Sequence, residues 1–505
     1  MNYRTRITQI ATCLAFAIVL LDTSVVNVAI AAIRLSLHTD MRGIQWIINS
    51  YSLTFSALLL TAGVLGDRFG CKPVFLAGFA LFTFGSLCCG LSQTAGTLIA
   101  SRIIQGAGAA LLVPASLSLI HILFRDDAER GKAIGWWGAA GGIALAAGPM
   151  AGGWLVTWQG WPSVFLLNVP AGIIGLLIVA RYAPPSVPRP GKHPDIAGQL
   201  TVIITAGSLA YGLITAGHNG WASHSVLSSL TVSVVCAALF IVVERRHPDP
   251  MLPLSLLRQV TLRTSTLVGF IANLAFYGMI FVLSLYFQTV LHYSPPQAGS
   301  AFLPMMAILV VMNILAGRIM PKVGVKRLAV YGLLISAGGY GWLIGAGPLT
   351  TPLAMLLAGS GIALAIPAIT SAALDSVAPG QTGIAGGLLN AARQAGGVFG
   401  VALFGTLINS HNPIQFTHGM HTALAISAGL LLFAAGISGL WLKHRHKDRK
   451  NDTFRPDLRT GGMRRCCQRS GGSFENVMFY PVLLFSATQS PTMMMNPPFS
   501  QRGKQ

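Results

Sequence analysis

Long apolar stretches recur along residues 7–442, and shorter loops between them hold most of the charged residues. A helix of about 20 apolar residues crosses the hydrocarbon of a bilayer, because its backbone groups find their partners inside the helix. Fourteen such stretches are present, at residues 7–33, 44–66, 74–92, 97–123, 133–157, 162–181, 196–217, 225–243, 263–289, 297–320, 327–347, 350–372, 384–408 and 420–442. The pattern predicts an all-α polytopic membrane protein with fourteen transmembrane helices.

The basic residues of the loops fall almost entirely on one side of the predicted membrane. If the spans alternate in direction, 30 Lys and Arg residues lie on the side of the two termini, and only Arg34 and Arg42 lie on the other. Basic loops stay on the cytoplasmic side of a membrane. The sequence therefore predicts that both termini are cytoplasmic, in a bacterial cytoplasmic membrane. An odd number of spans would destroy this asymmetry.

The composition changes how the net charge is interpreted. Of the 505 residues, 53% are hydrophobic and only 10% are charged, whereas a soluble domain carries about 25% charged residues. The net charge of +20 would suggest nucleic acid in a soluble protein, but here it arises from loops that set the membrane orientation and from the C-terminal segment. The seven cysteines follow no ligand spacing. We therefore expect neither a nucleic-acid partner nor a metal site.

Two loops that lie eight spans apart are similar to each other. At a constant offset of 254 residues, glycines and basic residues of the loop 63–72 coincide with those of the loop 317–326. Internal repeats around a midplane site are common in secondary transporters. The predicted domains are an N-terminal six-helix bundle at 1–182, two additional helices with cytoplasmic linkers at 183–258, a C-terminal six-helix bundle at 259–442 and a disordered basic cytoplasmic tail at 443–505. The tail's basic composition suggests contact with anionic membrane lipid.

The first of these loops carries a motif, Gly63-x-Leu65-x-Asp67-Arg68-x-Gly70-x-Lys72. It resembles the loop between helices 2 and 3 of the major facilitator superfamily, although Cys71 stands where a basic residue is usual. The resemblance covers about residues 7–442 and is to the fourteen-span drug:proton antiporter branch. It implies the major facilitator fold and a conformational loop formed by Gly63, Asp67, Arg68, Gly70 and Lys72. The alternative is a basic loop that only sets the topology.

One acidic residue stands apart from the others. Of fourteen acids, Asp22 alone lies well inside a predicted span, where a carboxylate is costly unless it faces the interior of the bundle. The run from Leu21 to Ile30 is similar to the first-helix motif of the same branch. Asp22 could gain and lose a proton as access alternates, or it could be a structural, permanently hydrogen-bonded residue. The position that repeats it is Phe276, so any proton coupling is asymmetric.

The fourth and fifth spans carry two further motifs. Arg102 and Gln105 lie three residues apart and share a helical face, in a run that resembles the fourth-helix motif of the superfamily. Arg102 is therefore a candidate partner of Asp22 in proton coupling; the alternative is a tether near the interface. In the fifth span, the antiporter-type motif of the superfamily is matched by Gly148, Pro149, Gly152 and Gly153. Small residues such as these glycines permit close helix approach. The branch's next motif is matched by Trp161, Phe165, Asn168 and Pro170.

A drug cavity needs aromatic walls and a few polar anchors. The candidate cavity residues are the polar groups in or near the spans, namely Asn27, Gln105, Asn273, Tyr277, Asn390 and Arg393. Asn390 and Arg393 share one helical face. The alternative for each is ordinary helix packing.

These patterns predict proton-coupled efflux of a hydrophobic or amphiphilic drug or antibiotic by alternating access. No ATP-binding loop and no catalytic constellation is present in the sequence, so we expect a non-enzymatic monomer that needs no cofactor and uses the proton gradient. Two alternatives remain open: a proton-coupled transporter of a small metabolite, and a non-transporting sensor. The substrate's charge is also open, because a buried Asp22 permits a cation.

Overall fold

The structure is a computed structural model that describes residues 3–124, 126–186, 195–248, 250, 252–347, 349–378, 381–408 and 412–442. The predicted tail at 443–505 lies outside the described residues. The described part is all-helical, with α1 (Tyr3–Ser36), α2 (Met41–Phe69), α3 (Cys71–Gly90), α4 (Ala95–Leu123), α5 (Asp127–Gln159), α6 (Pro162–Leu166), α7 (Asn168–Tyr182), α8 (Ile196–Asn219), α9 (His224–Arg246), α10 (Val260–Leu285), α11 (Pro295–Val323), α12 (Val325–Ile344), α13 (Thr351–Asp375), α14 (Thr382–Leu407) and α15 (Pro413–Trp441).

These fifteen helices of the described chain form fourteen membrane-length segments, which confirms the predicted fold class. The sixth segment is broken at Leu167 into α6 and α7, because Pro170 has no N–H to bond the carbonyl of Leu166. Twelve segments of the described residues are long and apolar enough to cross a membrane. The other two, α2 and α14, have 29 and 26 residues and are thus also long enough to span a bilayer. Large apolar side chains such as Trp158 and Val234 are exposed, as lipid-facing residues are.

Successive spans cross the bilayer in opposite directions because short connections join them. We call the side where α1 begins and α15 ends the terminal face, and the other side the distal face. The helices α1, α5, α10 and α14 therefore run from the terminal to the distal face, and α2, α4 and α11 run the opposite way. This assignment follows from the helix order alone.

The offset of 254 residues relates the helix bounds of the two halves. Moved by that number, α2 and α3 coincide with α11 and α12 at both of their ends. The single residue that joins each pair is a glycine with positive φ, +89° at Gly70 and +87° at Gly324. A left-handed backbone of this kind is strained for residues that carry a Cβ atom. The two loops thus share a turn geometry as well as a sequence pattern.

The side-chain hydrogen bonds that join α1–α5 to α10–α14 among the described residues lie toward the distal face. Gln45, near the start of α2, donates Nε2 to the carbonyls of Val401 and Ala402 near the end of α14, at 3.2 and 2.8 Å. Ser284 near the end of α10 donates to the carbonyl of Asn27 on α1 at 2.5 Å. The bundles are therefore tied together at one end of the molecule.

Candidate functional site

Four helices of the first half bring polar side chains to one point inside the protein. Asp22 lies on α1 and is fully buried, and Arg102 on α4 is only 2% exposed. The Arg102 Nη1 atom lies 2.5 Å from Asp22 Oδ2. The other carboxylate oxygen accepts hydrogen bonds from Gln105 Nε2 at 2.8 Å and from Asn168 Nδ2 at 3.0 Å. Asp22 therefore has a charged partner and two amide donors.

Arg102 is held by more than its ion pair. Its Nε donates to the carbonyl of Ile47 at 3.3 Å, and its Nη1 also donates to Gln105 Oε1 at 2.6 Å. The guanidinium carbon lies 4.2 Å from the ring centroid of Tyr51 and 5.5 Å from that of Phe165. A cation over an aromatic face is stabilised most where water is excluded. The arginine is thus fixed on α4 against α2 and α6, rather than tethering helix ends.

Gln105 connects the pair to a fourth helix. Its Oε1 accepts from Arg102, while its Nε2 donates to Asp22 and to Ser86 Oγ on α3, the latter at 2.7 Å. Gly85 allows this approach, because a Cβ atom there would lie 2.6 Å from the backbone nitrogen of Gln105. Burying an ion pair is costly unless the remaining donors and acceptors are also satisfied, and this network provides partners for both oxygens of Asp22 and for Nε and Nη1 of Arg102.

The sequence predicted part of this cluster. The structure brings Asp22 on α1 together with Arg102 and Gln105 on α4. These residues are 80 or more positions apart, and the sequence does not show directly that the two helices are in contact. Ser86 and Tyr51 were missed, since a lone serine or tyrosine in an apolar span carries no signal. Asn168 is part of the motif that begins at Trp161, for which the sequence predicted no role, and its side-chain amide donates to Asp22.

A small cavity adjoins the cluster between the two halves. It is lined by Thr23, Val26, Asn27, Ile48, Asn49, Tyr51, Ser52, Arg102, Tyr277, Gln394, Gly397 and Val401. Three residues predicted for proton coupling or for the cavity, Asn27, Arg102 and Tyr277, are among them. Asn273 instead donates to the carbonyl of Gly269 in its own helix at 2.9 Å, and Asn390 is exposed on α14 outside this lining.

Asn49 is a cavity residue that the sequence did not indicate. The side chain is fully buried, and neither its oxygen nor its nitrogen has a hydrogen-bond partner among the described residues. Buried polar groups are nearly always paired. Asn27, in contrast, donates Nδ2 to the carbonyl of Thr23 at 3.0 Å. Asn49 therefore presents an unsatisfied amide beside the cavity.

The loop between α2 and α3 packs against the end of α7. Gly70 lies so close to Ser186 that a Cβ atom would be 2.5 Å from its Oγ, and the Lys72 amide donates to that same oxygen at 3.0 Å. Lys72 Nζ donates to the carbonyls of Ala180 and Ala183 at 3.2 and 2.8 Å, so it caps the C-terminus of α7. The side chain of Asp67 lies outside the described side chains.

The glycines of the antiporter-type motif place α5 between the two halves. At Gly152 a Cβ atom would lie 2.8 Å from the carbonyl oxygen of Val25 on α1, and at Gly153 it would lie 2.6 Å from that of Pro295 on α11. A Cβ atom on Gly148 would clash with the side chain of Ser24, and one on Gly299 of α11 would clash with the carbonyl oxygen of Pro149. No larger residue fits these positions without moving a helix.

The fold and this site define a membrane transporter, and the sequence comparisons give its family. The chain belongs to the Major Facilitator Superfamily, whose family model matches residues 12–401 and again 266–502. The two matches begin 254 residues apart, which is the offset of the repeat. This is a family of transporters, so the expectation of a non-enzymatic protein is confirmed.

Several relatives are named for drug resistance. The chain is 36% identical over 438 residues to a methylenomycin A resistance protein of Streptomyces coelicolor, covering 86% of this chain and 91% of that one. It is 33% identical over 414 residues to a tetracenomycin C resistance and export protein of Streptomyces glaucescens, covering 80% and 76%. The resemblance stated from the motifs is thereby confirmed.

Solved structures share the fold at low sequence identity. A bacterial homologue of the human lysosomal transporter Spinster aligns with a TM-score of 0.65 and 15% identity, covering 87% of this chain and 97% of that one. At this identity the likeness concerns the fold alone.

Proposed function

We propose that this protein exports a hydrophobic or amphiphilic drug or antibiotic in exchange for protons. The observation that carries the proposal is the buried ion pair of Asp22 and Arg102, with Arg102 also forming part of the cavity wall. A protonatable carboxylate and the cavity are thereby joined through one side chain. The names of the relatives, resistance and export proteins for antibiotics, support export as the direction of transport.

The distribution of basic residues supports a cytoplasmic terminal face. The side-chain hydrogen bonds between the halves lie toward the distal face, and Asn390, on the cavity-lining face of α14 but nearer the terminal face, is exposed. We therefore infer that the cavity opens to the cytoplasm in this conformation, as it must when an exporter takes up its substrate. Rocking of one half against the other would break the Gln45 contacts and open the distal face.

The proposed coupling follows from the hydrogen bonds of the cluster. Asp22 as a carboxylate accepts from Arg102, Gln105 and Asn168. A proton on Asp22 removes the charge that holds Arg102 and turns one acceptor into a donor. Arg102 is then released toward the cavity, where it can act on substrate. Proton uptake and a change in the cavity wall are thus one event.

Everted membrane vesicles test the proposal directly. Accumulation of fluorescent amphiphiles should depend on an imposed proton gradient in the wild type and be lost in Asp22→Asn, which keeps the side-chain volume but cannot release a proton. Asp375→Asn removes an exposed carboxylate at the end of α13 and should accumulate the amphiphiles normally. Gradient-independent accumulation, or full activity in Asp22→Asn, would refute proton coupling.

The other predictions of the sequence are part of the same proposal. They comprise the domain limits at 182, 258 and 442, a monomer in the bacterial cytoplasmic membrane with both termini cytoplasmic, contact of the tail with anionic lipid, and the proton gradient as the energy source without a cofactor. The conformational role of the loop 63–72 also belongs here, supported by the attachment of Lys72 to the end of α7.

A further inference from the structure

The two arginines inside the spans differ in how their charge is balanced. Arg102 has the carboxylate of Asp22 and further acceptors around it. Arg393 on α14 makes no hydrogen bond or ion pair among the described residues, and its buried Nε has no acceptor. The first pair is close to neutral as a unit, whereas the partly buried side chain of Arg393 has no balancing charge among the described residues.

An unbalanced guanidinium in this place is energetically costly. The stem of Arg393 packs against α10, where a Cβ atom on Gly269 would lie 3.1 Å from Arg393 Cγ. Within a bundle in lipid, charged side chains pair with one another or face a polar cavity, and they usually mark a transport pathway. The described part of the chain supplies no anion for Arg393, so an acidic solute that enters the cavity would meet a guanidinium without a counter-charge.

Arg393 is next to the cavity wall. Its neighbour Gln394 lines the cavity, and so does Gly397, one helical turn further along the same face of α14. Tyr277 packs on Gly397, with 3.0 Å between its Cδ2 and a Cβ atom placed there, and also lines the cavity. On the wall formed by α2, the unsatisfied amide of Asn49 supplies a further donor.

We propose that the exported compound is an amphiphilic organic anion whose acidic group binds Arg393. This inference rests on the proposed export function and specifies its substrate class. A carboxylate or similar group matches the planar guanidinium through charge-assisted hydrogen bonds. The uncharged body of the compound lies against the apolar wall formed by Val26, Ile48 and Val401. Asp22 does not repel such a solute, because its charge is balanced by Arg102.

Charge also gives the exchange an electrical signature. For one proton entering per molecule exported, loss of a monoanion moves charge in the same direction as the proton, so the membrane potential favours both movements. Exchange of a monovalent cation for one proton moves no net charge. Sensitivity to the potential therefore separates the two substrate classes.

Three probes with one fluorophore and different charge test the proposal: dansylglycine (anion), dansylglycinamide (neutral) and dansylcadaverine (cation). Binding is measured with the full chain in phosphatidylcholine nanodiscs, in which no anionic lipid competes for the arginine. We expect the wild type to prefer dansylglycine, and Arg393→Gln to weaken its binding about tenfold or more while leaving dansylglycinamide unchanged. Arg263→Gln, an exposed arginine at the start of α10, is the matched control and should bind like the wild type.

The outcomes separate this inference from the export function. If Arg393→Gln changes the binding of the anionic and the neutral probe equally, or changes the binding of neither, the arginine does not bind the acidic group and the inference is overturned. If everted vesicles accumulate dansylcadaverine but not dansylglycine, the export function stands and the assignment of an anionic substrate is wrong. If dansylglycine binds through Arg393 but its transport ignores the proton gradient, the inference stands and proton coupling fails. Loss of dansylglycine accumulation when valinomycin and K⁺ collapse the potential is the supporting transport result.

Discussion

The guanidinium of Arg102 and the carboxylate of Asp22 lie 2.5 Å apart, and both side chains are almost completely excluded from solvent. The two residues are 80 positions apart in the sequence and meet through the packing of α4 on α1. The pair is surrounded by amide donors and by the Tyr51 ring. The proposed proton coupling and the stability of the first half therefore depend on the same contact.

Removing only one member of this pair should be more harmful than removing both. Arg102→Met leaves the buried carboxylate of Asp22 without its cation, at a cost of about 3–5 kcal/mol. The double variant Asp22→Asn with Arg102→Met should recover most of that loss, because no unpaired charge is left. Thermal unfolding in detergent measures both. Equal stability of the single and the double variant would contradict a charge-balanced pair.

Asn49 should matter for transport and not for folding. Its buried amide has no partner among the described residues, so Asn49→Ala removes a desolvated group and should leave stability unchanged or raise it by about 1 kcal/mol. Transport of substrate should fall, because the cavity loses an amide. Asn273→Ala is the comparison: it breaks the bond to Gly269 and should lower stability by about 1 kcal/mol. A loss of stability in Asn49→Ala as large as that in Asn273→Ala would argue against an unpaired amide.

The contact of Gln45 with α14 should set the balance between conformations. The side chain reaches two carbonyls only because Gly405 has no Cβ atom in its way. Gln45→Ala and Gly405→Ala should each weaken closure of the distal face. Spin labels at Leu35 and Ile414, both exposed near that face, in a cysteine-free background, should report a larger population of long distances. Gly429→Ala, where a Cβ atom meets open space, should leave the distance distribution unchanged.

The two glycine turns should respond alike to substitution. Gly70→Ala and Gly324→Ala each force a residue with a Cβ atom into a backbone with φ of 89° or 87° and ψ of 148° or 149°, a region nearly restricted to glycine that costs other residues about 1–3 kcal/mol. Gly70→Ala should be the worse of the two, since Ser186 also occupies the space. Gly63→Ala, inside α2 with nothing within 4 Å, should be neutral or stabilising by about 0.5–1 kcal/mol. Unfolding temperatures of the three variants compare them, and a stable Gly324→Ala would contradict the shared turn.

The sequence by itself determined the spans, their number and the repeat. These features are local, because each span is a continuous apolar stretch and the turn at Gly70 recurs at Gly324, each two residues before a lysine. It also singled out Asp22, since an acid within an apolar span is conspicuous without any knowledge of its partners. The break at Leu167 could have been inferred from Pro170, which removes one hydrogen bond from the helix.

The partners and the charge balance were decided only by the tertiary structure. Nothing along the chain shows that Asn168 donates to Asp22, because such contacts depend on how helices far apart in sequence pack around each other. Arg102 and Arg393 look alike in sequence, as single arginines in apolar spans. Packing gives the first a carboxylate and leaves the second without one. That difference exists only in three dimensions, because it depends on which side chains meet each guanidinium.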